Sequence, residues 1–79
     1  MAQDLYAVVA RVMEVDAATI TEESNMENTE GWSSLRQVIL VAEVERIFGV
    51  RLDFEQMMEA TSVTAIRGLL AAKGVAVAN

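Results

Sequence analysis

Apolar residues recur at helical spacing in three stretches of the chain. Leu5, Val8, Val9 and Val12 fall at i, i+3, i+4 and i+7, which makes Asp4 to Glu14 a first amphipathic helix. Asp4 stands near its positive end, Tyr6 and Met13 lie off the stripe at its margins, and the helix is expected to fray near Val15. A polar, acidic connection runs from Asp16 to Gly31, with Ile20 and Met26 as the residues that anchor it to a core. The second helix spans Ser34 to Phe48. Leu40, Val44, Ile47 and Phe48 form its buried stripe, flanked by Leu35 and Val41. Its other side carries Val38, Ile39, Ala42, Glu43 and Arg46, more apolar than water alone favours. Gly49 is a left-handed stop.

Val50-Arg51-Leu52 reads as extended, and Asp53 caps a short helix ending at Met58 or Glu59. Ser62 or Thr61 caps a last helix buried through Val63, Ile66, Leu69 and Leu70 and ended by Gly74. Three main helices, one short one and a long first loop make an all-α four-helix bundle. It is one domain, residues 1–79, with an ordered core over about 3–73 and a loose tail over 74–79.

Composition narrows the chemistry. There is no cysteine and no histidine, so a disulfide framework, a thiolate metal site and a Ser-His-Asp triad are excluded within this chain. No apolar run approaches the roughly 20 residues of a membrane span. The start, Met1-Ala2-Gln3-Asp4, lacks the basic residues of a signal peptide, so a cytoplasmic location is expected. The chain is also expected to be a monomer. Net charge is −6, and residues 1–33 supply all of it, with seven acids against one base. Residues 34–79 balance five acids with five bases. Nucleic acid, which needs a basic patch, is disfavoured as a partner on this balance, and so is a helix-turn-helix DNA-binding role. The acidic loop does not fit a calcium-binding loop, since the ligand spacing fails from Asp16 onward.

The stretch with chemical interest is Gly31-Trp32-Ser33-Ser34-Leu35-Arg36-Gln37-Val38. Ser34 with Gln37 fits the S-x-x-Q capping box, so one of the two serines opens the second helix. Trp32 reads first as a loop anchor covering the core, and Met57 and Met58 as gap-fillers.

Trp32-Ser33-Ser34-Leu35, followed by Val41, Val44, Glu45, Phe48-Gly49-Val50, Leu52, Thr61-Ser62-Val63, Ile66 and Leu70, resembles the acyl carrier protein family, which includes peptidyl and D-alanyl carriers. The resemblance runs from Leu5 to about Ala72. It implies 4′-phosphopantetheine attached to the serine before the leucine, Ser34, with Trp32, Ser33 and Leu35 shaping the attachment corner. It implies that the chain catalyses nothing itself and holds acyl or aminoacyl groups as thioesters. A phosphopantetheinyl transferase, a loading ligase and pathway synthases or transferases are then its partners. Val38, Ile39, Ala42 and Glu43 are expected to contact them, though Val38 and Ile39 also suit packing against the loop. One departure stands out: the family usually has aspartate before the serine, and here Ser33 takes that place. That departure keeps a second reading open, an unmodified helical interaction module of the same fold.

Overall fold

The computed structural model describes residues 4–78, so the expected start of the ordered core at residue 3 and the last residue of the tail lie outside the described residues. Four helices follow in order: α1 (Leu5–Met13), α2 (Ser34–Phe48), α3 (Phe54–Glu59) and α4 (Val63–Ala72). Among the described residues there is no strand, only isolated bridges between Asp4 and Ala78 and between Asn25 and Ser62. No helix there is long and apolar enough to cross a membrane.

The stripes meet as their spacing predicts. Leu5, Val9, Leu40, Val44, Val63, Ile66 and Leu70 are almost wholly buried, and α1 packs on both α2 and α4. Each fully buried Leu or Val contributes roughly 1.5–3 kcal/mol over an exposed one, which is what offsets the ordering entropy of so small a chain. Met13 and Ala10 join this core rather than its margin. Ile47 and Phe48, at the C-terminal end of α2, are only partly buried against the core. Leu35 is 69 % exposed and does not flank the core.

Helix ends follow side-chain capping. Asp4, Ser33, Asp53 and Ser62 each accept a backbone N–H from the first turn that follows. Asp53 and Gln56 form a reciprocal capping box on α3. Thr61 is not the cap of α4; its N–H donates to the Glu59 carbonyl and its carbonyl accepts from Met26.

The Asp16–Gly31 connection is built, not slack. A 3₁₀ turn covers Ala17–Thr19, Ile20 is buried, and Met26 packs against the core. Asn25 Oδ1 accepts the N–H groups of Glu27 and Asn28, which folds the chain back on itself. Glu22 ties this loop to two helices, α1 and α4. Its carboxylate takes a hydrogen bond from Tyr6 of α1 and a salt bridge from Arg67 of α4, and its carbonyl accepts from Thr64.

The tail makes backbone contacts with α1 and α4. The Leu5 N–H donates to the Ala78 carbonyl at 2.8 Å, Val75 N–H to Leu70, and Arg67 reaches the Val77 carbonyl. Val75 and Val77 pack against the core from alternate positions of an extended segment. The first amides of a helix lack intrahelical acceptors, and the tail supplies one to α1.

The Arg67 guanidinium hydrogen-bonded to Glu22 holds its carboxyl below the usual value of 4.5. A depressed carboxyl stabilises the fold above its unfolded value and loses that contribution as pH falls through the folded value. The melting temperature is therefore expected to fall as pH drops below about 4.5, and Glu22→Gln to flatten part of that slope. Glu43, also lowered, supplies another part. Thermal melts of both proteins across that range check it; identical slopes would contradict the assignment.

Candidate functional site

The N-terminus of α2 is held against the C-terminal end of α1. Glu14 ends α1 in the left-handed region at φ 60, and its N–H returns to Ala10 and Arg11. The Arg36 guanidinium then donates to the Val12 carbonyl and pairs with Glu14 at 3.0 Å, satisfying an end carbonyl of α1. Gly31 turns at φ +86 so close to α1 that an added Cβ would stand 2.6 Å from the Met13 carbonyl oxygen. A glycine is required here on both counts.

The two serines now separate. Ser33, not Ser34, is the N-cap of α2: its hydroxyl accepts the Arg36 N–H at 3.2 Å. The Ser34–Gln37 capping box is therefore a correction. Ser34 is the first residue of the helix, is exposed, and its hydroxyl makes no hydrogen bond among the described residues. Its own N–H and that of Leu35 also have no protein acceptor there, as helix starts leave them. Free amides at the positive end of a helix suit a phosphodiester, so the corner fits a phosphate-linked group on Ser34 Oγ.

Gln37, freed from capping, crosses the interior. Its Oε1 accepts the Trp32 Nε1–H at 2.6 Å, and its Nε2 donates to the carbonyls of Met57 at 3.2 Å and Ala60 at 2.7 Å. Trp32 itself is 4 % exposed, the loop-anchor arrangement, and its one polar atom is spoken for. It supports the corner from beneath and does not face it. Gln37→Leu leaves Trp32 and the Ala60 carbonyl without partners. The expected loss is on the order of 3 kcal/mol, with a shift in tryptophan fluorescence, and urea melts followed at the indole measure both.

Beside Ser34 lies an apolar cleft of about 250 Å³ between α2 and α3, lined by Met26, Ser34, Gln37, Val38, Met57, Met58 and Thr61. Its outer rim is apolar too. Leu35, Val38, Ile39, Phe54 and Met58 are all strongly exposed, and Ala42 is exposed with them. Val38 and Ile39 thus remain exposed, Val38 on the cleft that it shares with Met26 of the loop. Phe54 and Met58, on α3, are exposed as well, and their exposure has no signal in the sequence: Leu5 and Val63 also follow helix caps, yet both are fully buried.

Glu43 lies at the edge of this face. Arg46 and Arg11 bind its carboxylate at 2.9 and 3.3 Å, and the Arg46 hydrogen bonds hold it below the ordinary carboxylate range. The balance along α2, two acids and two bases, is neutral. The first loop instead carries five acids and no base.

A family model described as "Phosphopantetheine attachment site" matches residues 3–70. The acyl carrier proteins of Helicobacter pylori strains G27 and HPAG1 are each 36% identical to this chain over 61 residues, covering 77% of it and 78% of their own length. With a helical bundle, an open serine at the start of α2 and a match across most of its length, the chain belongs to the acyl carrier protein family, whose members bear covalent 4′-phosphopantetheine.

Proposed function

We propose that this carrier is loaded on Ser34 and holds acyl or aminoacyl groups as thioesters within a dedicated biosynthetic route. The observation that carries the reading is the separation of roles at the start of α2. Ser33 closes the helix, and Ser34, one residue on, keeps an unengaged hydroxyl pointed at solvent from a rigid element. When bound there, 4′-phosphopantetheine supplies the terminal thiol that a cysteine-free chain lacks. The chain's own residues present and steady the attachment point. The amides of Ser34 and Leu35 favour the negative charge, while Trp32, Gln37 and Arg36 fix the corner from below. No side chain of the corner is a general base, so deprotonation of Ser34 falls to the transferase.

The exposed patch of Leu35, Val38, Ile39 and Ala42 with Phe54 and Met58 is the docking face for the transferase, the loading ligase and the enzymes that draw on the cargo. Glu43, 27% exposed and bound by two arginines, forms its rim. A neutral, apolar face of this kind docks by burial, so association is expected to weaken little with added salt.

The test is incubation with coenzyme A and a broad-specificity phosphopantetheinyl transferase, followed by intact mass. The protein is expected to gain a single phosphopantetheine, and Ser33→Asp to gain it faster. A wild type that stays unmodified while Ser33→Asp is modified marks a carrier fold without its loading signal. If neither changes mass, the chain is an unmodified interaction module.

A further inference from the structure

We propose that Gln37 closes the inner end of the cleft beside Ser34, so that cargo tethered there lies on α2 and α3 and does not enter the helical core. This rests on Ser34 as the attachment point. It assigns the carrier a cargo class, short or polar acyl groups that need no burial.

Gln37 is the one buried residue among those lining the cleft, 8% exposed, and so forms its floor. Its amide joins the two walls. The stem leaves α2, and Nε2 bonds the Met57 and Ala60 carbonyls across the cleft while Oε1 holds Trp32. Both amide hydrogens are engaged, so the group has no donor left to give. One helical turn further along α2 lies Leu40, and just past Ala60 lies Val63; both are wholly buried core residues. The way from Ser34 to that core therefore runs past the bridging amide. An alkyl chain that passes must displace Gln37 and leave the Trp32 N–H and the Ala60 carbonyl unpaired in apolar surroundings, a penalty that opposes entry. The rim invites the opposite placement. Met26, Val38, Met57 and Met58 give a soft, open shelf on which a few carbons rest.

The test loads wild type and Gln37→Met with acetyl, butyryl, hexanoyl and octanoyl groups from the matching acyl-coenzyme A by transferase, checks mass, and measures thioester cleavage by hydroxylamine. Full burial favours a sequestered chain by roughly fourfold per methylene, more than a hundredfold between butyryl and octanoyl. Wild type is expected to release all four groups at rates within about threefold, far below what burial would produce. Gln37→Met, which removes the amide at similar length, is expected to protect octanoyl by about tenfold or more over butyryl. Strong protection of octanoyl in wild type overturns the proposal, since the wild-type series does not depend on how the variant folds. So does a folded variant, checked by circular dichroism, that shows no protection. Failure to gain mass at all is a different result, and it overturns the Ser34 reading on which this one rests.

Discussion

Gly31→Ala is expected to destabilise the protein by about 3 kcal/mol, lowering its melting temperature by roughly 15 °C. Two effects add. The backbone sits at φ +86, where a side chain is strained, and the new Cβ would meet the Met13 carbonyl oxygen at 2.6 Å. That oxygen belongs to the end of α1, so relief requires backbone movement and not a side-chain rotation. Gly49 is the control. It too is left-handed, at φ +68, but an added Cβ meets nothing within 4 Å, so Gly49→Ala should cost only about 1 kcal/mol. Thermal melts of the two variants separate crowding from conformation. Equal losses would mean that the packing of Gly31 on α1 matters little. Because Gly31 leads directly into Trp32 and Ser33, its variant should also be loaded more slowly than wild type.

Ser34→Ala is expected to abolish loading entirely while leaving stability within about 0.5 kcal/mol of wild type. Its hydroxyl supports nothing in the fold, and alanine is the better helix former at an exposed first-turn position. Ser33→Ala should behave in the reverse way. Losing the hydroxyl that accepts the Arg36 N–H costs about 1 kcal/mol, whereas the attachment oxygen remains in place. Urea melts read the first quantity and transferase assays the second. The crossing of the two effects is the informative result: a purely structural role for both serines would move stability in each variant and loading in neither in this selective way.

Helical spacing made the core readable, since Leu40 and Val44 on α2, and Val63, Ile66 and Leu70 on α4, each lie on one stripe and each is buried. The outward face of α2 was legible for the same reason. The serine pair was not, because both residues suit an N-cap and a one-residue shift in the helix start exchanges their roles. Gln37 illustrates a second limit. The spacing from Ser34 offered it a local partner, but its actual partners include carbonyls 20 and 23 residues away, brought near only by the fold. Glu22 and Arg67, 45 residues apart, are of the same kind. The contacts of the tail are likewise not legible. Val75-Ala76-Val77-Ala78 alternates as an extended segment does, yet so short a pattern predicts nothing until an unpaired amide at the head of α1 accounts for it.

The attachment point is tested most directly by locating the modification. Protein loaded with coenzyme A and a transferase, digested and fragmented, should carry one phosphopantetheine on the peptide that includes residues 33–36, with the fragment masses placing it on Ser34 Oγ. Phosphopantetheine on Ser33, or a wild-type chain that keeps its unmodified mass, would contradict the account.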